Sequence, residues 1–248
     1  MSNSARRNTK GWRRAVSAWL LAVAGGGADA VVLLGFHVLT AAQTGNTVLL
    51  AVALARGDAV GGTSAALSVS SFVLGVALGA VLLGRAVANR GTLLPTLLTE
   101  ASLLLGLLGF WISVQPLNRH QELGVIGLAA LAMGLQSAIV LHLRGPGTTY
   151  MTGTLTTFSS GLVEWVRTRV RRSDPASVGQ PSVRPSVEPP WPSGVSWLLY
   201  LFGAIGCGLL FLHVGPLAFS VPAGAVCLVV LLQLGVRTRE SEQDRSSM

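Results

Sequence analysis

One acidic residue and two copies of a Thr-Gly dipeptide carry most of the chemistry in this sequence. Asp29 stands in an apolar run, on a helical face with Gly25 and Gly26. Thr44-Gly45-Asn46 follows that run, and Thr152-Gly153-Thr154 follows another. A carboxylate in mid-membrane costs on the order of 3 kcal/mol by insertion scales unless it is paired or neutralised. Asp29 therefore has two readings. It is a polar contact in a translocation path or proton relay, or it is a hydrogen-bonded cap on the broken segment through Thr44 or Asn46. If Gly45 or Gly153 breaks a helix, the next residues open a half-helix. Its free N–H groups would attract anions and polar oxygens. Glu100 shares a face with Thr96 and Thr99, a turn beyond Pro95, and is a second candidate lining the same cavity.

The two Thr-Gly copies are parts of a longer correspondence. Sliding the chain by 108 positions superposes residues 21–47 on 129–155 with nine identities and no gap. These include Gly26/Gly134, Ala30/Ala138, Thr44/Thr152 and Gly45/Gly153. So long a period points to a duplicated half-protein rather than a solenoid. The repeat mate of Asp29 is Ser137, beside Gln136. Paired Gly-interrupted segments in matching positions are a pointer to a binding site in a membrane chain. The candidate substrate path is accordingly Asp29, Thr44, Gly45, Asn46, Glu100, Gln136, Ser137, Thr152, Gly153 and Thr154.

The elements that must position these residues are apolar runs. A bilayer core needs about 20 apolar residues as helix. Six stretches meet this: 15–36, 63–84, 92–113, 123–143, 195–214 and 216–236. Charged residues are only 11% of the chain, against about 25% in soluble domains. Residues 38–55 and 148–165 are about as long, but their first halves are polar. Each is a full span or a re-entrant half-helix. With both re-entrant, 16 of the 18 Lys and Arg residues face the cytoplasm; with both spanning, 15 do. Positively charged flanks belong inside. The re-entrant arrangement also needs no loop after Phe36, where none is visible.

The expected fold is thus all-α and integral to the membrane. It has about six spans plus two broken Thr-Gly segments, in a 3+3 repeat whose second half is inverted. Residues 15–236 form one membrane domain, with halves 15–113 and 123–236. Residues 1–14 and 237–248 are read as cytoplasmic tails. Six prolines in 173–192 mark a flexible cytoplasmic loop. Ser64, Ser68, Ser71, Gly75 and Gly79 form a small-residue stripe, matched by Tyr200, Gly203 and Cys207. Such stripes let helix backbones approach closely. Trp12, Trp111, Trp165, Trp191 and Trp197 sit at span ends, as do His37, His120, His142 and His213; an interfacial belt explains them.

Several alternatives fall away. The net charge of +8 flanks the apolar runs rather than forming a nucleic-acid surface. Cys207 and Cys227 lie inside apolar runs and suggest neither disulfide nor metal. The basic start, apolar run and Ala28-Asp29-Ala30 imitate a signal peptide, but the same segment recurs in mid-chain. Gly25-x-Gly27-x-x-Ala30 fits a loose dinucleotide fingerprint, yet no strand–helix alternation follows. No HExxH, no Gly-x-Ser-x-Gly and no paired intramembrane acids occur, so neither an enzyme nor a cofactor is expected.

Gly26-x-x-Asp29-Ala30, Thr44-Gly45-Asn46, Met133-Gly134-x-Gln136-Ser137-Ala138 and Thr152-Gly153-Thr154, in this order, resemble the YoaK-like family of bacterial membrane proteins. The resemblance covers nearly the whole chain and implies about six spans and a bacterial location. That family is functionally uncharacterised, so it implies no activity. The function expected is a small-solute transporter or channel of the inner membrane, both termini cytoplasmic, with a site between the two Thr-Gly breaks. Its partners would be the lipid bilayer and a small polar or anionic solute. The alternative is a non-transporting scaffold or partner subunit whose breaks only shape the fold.

Overall fold

A computed structural model describes residues 3–88, 93–143, 151–172 and 190–246. Among them the secondary structure is helical: α1 Asn3–Phe36, α2 Gln43–Arg56, α3 Ala59–Ala88, α4 Leu94–Ser113, α5 Arg119–Leu143, α6 Met151–Arg172, α7 Trp191–Val214 and α8 Ser220–Ser246. Five stretches are long and apolar enough to cross a bilayer: Trp12–Phe36, Ala59–Gly84, Leu94–Ser113, Arg119–Leu143 and Trp191–Gly235. The fifth runs for 45 residues. A 3-10 turn at Gly215–Phe219 divides it into α7 and α8, and both pack on α1. The protein is a multi-pass, all-α membrane protein.

The helices run past the apolar stretches: α1 begins at Asn3 and α8 continues to Ser246. Once a span has nucleated a helix, each further residue adds a hydrogen bond at little cost. Arg, Lys, Glu and Gln are good helix formers. The Pro-rich stretch also ends earlier than expected. Trp191 opens α7 and Pro192 sits in its first turn, where a missing N–H costs nothing. Residues 173–189 lie outside the described residues.

Aromatic contacts set the relative direction of the helices. Trp111, near the end of α4, packs its ring against Phe36 at the end of α1, Phe211 near the end of α7 and Phe219 just before α8. Arg119, which opens α5, donates from Nη2 to the Val60 carbonyl and the Ser64 hydroxyl near the start of α3, both at 2.8 Å. Residues 114–118 are all that separates α4 from α5. One end of the bundle therefore gathers the ends of α1, α4 and α7 and the starts of α3, α5 and α8. Trp111 is itself 3% exposed, so it belongs to the core rather than to the expected interfacial belt. Its partners arrive from three distant segments, which no local pattern announces.

The short helix α2 is no span. Its 14 residues cover about 21 Å, less than a hydrocarbon core. It runs back along α3: Asn46 lies against Ser68, and Ala53 lies beside Gly62. The second Thr-Gly helix, α6, packs on α7 and is not apolar enough to be a candidate span.

Two helix pairs dominate the packing, α1 with α7 and α3 with α5. Both rest on glycine. A Cβ on Gly26 would collide with the Tyr200 carbonyl oxygen, and one on Gly203 with that of Val23. A Cβ on Gly134 would collide with the Phe72 carbonyl oxygen, and one on Gly75 with that of Leu131. Lipid is as apolar as leucine, so close backbone approach supplies the dispersion contact that holds such helices together. The small-residue stripes on α3 and α7 face these crossings. Ser64, Ser68 and Ser71 are buried along with Gly75 and Gly79.

These two crossings repeat one arrangement. Val23 and Gly26 stand 108 positions before Leu131 and Gly134; Phe72 and Gly75 stand 128 before Tyr200 and Gly203. The second half is 20 positions longer there, and the Pro-rich stretch lies within the added chain. The wider packing follows the same exchange. α2 packs on α3 as α6 does on α7, and α1 on α8 as α5 does on α4.

Candidate functional site

After Phe36 the chain turns back on α1. His37 takes a left-handed conformation, φ 60°, and its N–H bonds the Leu33 carbonyl at 2.9 Å, which closes the helix with an αL cap. Residues 38–42 then lie beside Asp29. Irregular backbone at membrane depth leaves polar groups that cost several kcal/mol each if unmatched. Here the accounting closes for residues 39–42.

Asp29 takes most of the donors. Its Oδ1 accepts from the N–H groups of Thr40 and Ala41, both at 2.6 Å, and from the Thr40 hydroxyl at 3.2 Å. Its Oδ2 accepts from the Ala42 N–H at 3.0 Å and from the Tyr200 hydroxyl at 2.5 Å. Three successive N–H groups converging on one carboxylate form an anion nest at the start of α2, where the helix dipole also favours negative charge. Asp29 is 2% exposed, and five donors offset the cost of removing it from water.

Asn46 closes the rest. Its Oδ1 accepts from the Leu39 N–H at 2.8 Å, and its Nδ2 donates to the Leu39 carbonyl at 2.6 Å. The Ser68 hydroxyl also donates to the Leu39 carbonyl, at 2.7 Å. Gln43 Nε2 donates to the Thr40 carbonyl at 2.7 Å. The Ala41 and Ala42 carbonyls accept from the N–H groups of Gln43 and Gly45, both at 3.0 Å. The break is thus a closed network joining α1, α2, α3 and α7.

The expected mechanics shift by a few residues. Thr44 and Gly45 do not break the helix; they lie in the first turn of α2, and the break is at residues 37–42. Asp29 caps through backbone N–H groups of that lead-in, not through Thr44 or Asn46. No Gly or Pro marks the turn, so the dipeptide drew attention to the wrong position. Thr44 is exposed, and a Cβ on Gly45 would meet only Leu39 Cδ1. Thr40, Gln43, Ser68 and Tyr200 are the partners that spacing along the chain did not reveal. Ser68 and Tyr200 had appeared only as members of packing stripes.

The second half keeps part of this set. Ser137, Thr154 and Ser196 occupy the repeat positions of Asp29, Asn46 and Ser68, and all three are buried. Phe72 stands where Tyr200 would be, so the acid and its phenol partner are both missing there. Thr152 and Gly153 are exposed. Residues 144–150, which include the start of the second polar segment, lie outside the described residues. Gln136 turns elsewhere and donates to the Leu21 carbonyl at 2.9 Å, tying α5 to α1. The two Thr-Gly helices pack mainly on different partners, α2 on α3 and α6 on α7.

Glu100 is apart from the Asp29 network. It lies on the buried face of α4 with Thr96, Leu97, Ala101, Leu104, Leu107 and Trp111. It is 0% exposed, and neither carboxyl oxygen has a hydrogen-bond partner; the Thr96 hydroxyl, one turn away, has none either. One cavity, of about 430 Å³, opens at the far end of the α2–α3 hairpin between Leu50, Leu54, Gly57 and Ala66, away from both acids. No group of three or more His, Cys, Asp or Glu side chains among the described residues is placed to hold a metal ion.

No curated protein and no solved structure matches the chain. A family does, and it is one without an assigned activity, as the resemblance implied, though it does not carry the YoaK name. The match spans residues 17–232, from near the start of the first apolar run into α8. On that span the chain belongs to the family described as Protein of unknown function (DUF1275).

Proposed function

We propose that this protein moves a small polar or anionic solute across the bacterial inner membrane, with its two halves rocking against each other. The observation that carries the reading is the pair of glycine crossings. Gly26 with Gly203 and Gly134 with Gly75 make the same backbone contacts at repeat-related positions. α1 ends at the end of the bundle where α5 begins. Halves related this way run in opposite directions, and inverted repeats built around broken helices are a transporter architecture. The side on which Arg56 and Arg119 lie is read as outside, because 16 of the 18 basic residues then face the cytoplasm. Both termini are cytoplasmic on this reading.

The Thr-Gly helices are then corresponding parts of two moving halves rather than two walls of one site. The path runs through the six-helix core that they flank. The scaffold reading keeps one specific observation in its favour: the backbone groups of residues 39–42 are fully matched by side-chain and backbone groups of the same chain, so this break needs no ligand. Flux decides between the two. Purified protein in liposomes should exchange at least one member of a panel of labelled small polar and anionic solutes. Gly75→Ala, which blocks a crossing, should abolish that exchange. A panel without any flux, together with stable co-purification of a membrane partner, would favour the scaffold.

A further inference from the structure

Two acids are buried among the described residues, and they are treated in opposite ways. Asp29 receives five hydrogen bonds. Glu100 receives none, at zero exposure, and the nearest hydroxyl on its own face, Thr96, is also unmatched. Helices α5 and α8 pack on α4, with α3 and the 215–219 turn touching it more lightly. Apart from Cys227, the titratable residues of these elements stand toward the helix ends in the sequence. On α5 these are Arg119, His120, Glu122 and His142, all near its ends; on α3 it is Arg85, near its last turn. On α8 they are Cys227 and then the charged residues from Arg237 onward, past the apolar run. The 215–219 turn has none. Among the described residues, no cation is paired with this carboxyl group.

We propose that Glu100 is a proton-exchange site. A charge left in these surroundings without donor or counter-ion is strongly disfavoured. A metal cation such as calcium would need six or more oxygen ligands, and this face offers the two carboxyl oxygens and one hydroxyl. A proton fits where both oxygens are sealed from solvent. It is bound in the packed arrangement described here, and it leaves when α4 shifts enough to admit water. Intramembrane acids are the usual carriers in proton relays. The site does not depend on the transport reading. If that reading holds, Glu100 is the group that couples solute movement to protons.

A hydrophobic carbodiimide tests this, because it reacts with a protonated carboxyl inside the bilayer and leaves a stable adduct. Wild-type protein in liposomes would be treated across a pH series and its peptides mapped by mass spectrometry. The adduct should fall on Glu100, decline as pH rises and be absent from Glu100→Gln. Asp29, held by five donors, should stay unmodified. The wild-type map alone decides if the variant misfolds. No adduct on Glu100 at any pH, or an adduct whose yield ignores pH, would overturn the proposal. Because the readout needs no solute, its failure is distinct from a failure to find flux.

Discussion

The phenol of Tyr200 donates to Oδ2 of Asp29 at 2.5 Å across a sequence separation of 171 residues. That single bond joins the break in the first half to α7 of the second half. It lies beside the glycine crossing of the same two helices, since the Tyr200 carbonyl is what a side chain on Gly26 would strike. Contact and clamp therefore reinforce one another at this crossing. At the other, Phe72 and Ser137 leave the equivalent place without the pair.

The clamp makes Asp29→Asn far from silent. An amide offers one acceptor oxygen and turns an NH2 group toward the N–H groups of residues 40–42. The loss of matched, charge-assisted bonds should cost about 3 kcal/mol. Tyr200→Phe removes one bond and should cost about 1–2 kcal/mol. Asp29→Leu should be the most damaging of the three. Unfolding of the purified variants in detergent, followed by tryptophan fluorescence, gives the order directly. Equal stability of Asp29→Asn and wild type would show that the carboxylate is not the acceptor described.

Glycine substitutions should divide by position rather than by helix. Gly26→Ala and Gly134→Ala drive a methyl group into a facing carbonyl and should each cost about 1–3 kcal/mol or more. Gly106→Ala and Gly109→Ala on α4 meet nothing within 4 Å and should stay within about 0.5 kcal/mol of wild type. Thermal shift measurements on the four variants suffice. Matching losses at 26 and 134 would also support the equivalence of the two crossings.

Much of this was open to sequence reading, and the parts that were not share a cause. The six apolar runs correspond to α1, α3, α4, α5, α7 and α8, because run length and hydropathy are local properties. The close contacts at Gly26 and Gly134 fall on an identity that recurs at a fixed offset in the sequence. The position of the break was not legible. It depends on His37 entering a left-handed turn and on Asp29, Asn46 and Ser68 converging on residues 39–42, which are contacts made across helices. Trp111 was misplaced for the same reason. Its span-end position suggested an interface, while Phe36, Phe211 and Phe219 enclose it.

Glu100 yields a stability prediction opposite to that for Asp29. Replacing an unmatched buried acid with an apolar side chain of similar volume is commonly stabilising, by about 1–4 kcal/mol. Glu100→Met should accordingly raise the unfolding temperature while Asp29→Leu lowers it. If flux is found, Glu100→Met should abolish its pH dependence even though the protein is more robust. A destabilised Glu100→Met would mean that the carboxyl group is matched in a way that the packing of α4 does not reveal.

The central claim, that the two halves run in opposite directions through the membrane, is tested most directly by sidedness. Single cysteines would be placed at Gly57, in the turn between α2 and α3, and at Arg167, near the end of α6, in a background in which Cys207 and Cys227 are replaced by Ala. A membrane-impermeant maleimide is then applied to intact cells and to inverted vesicles. The account predicts that Gly57→Cys reacts in intact cells and Arg167→Cys only in inverted vesicles. Reaction of both from the same side would contradict it, because α2 would then cross the membrane and the halves would lie parallel.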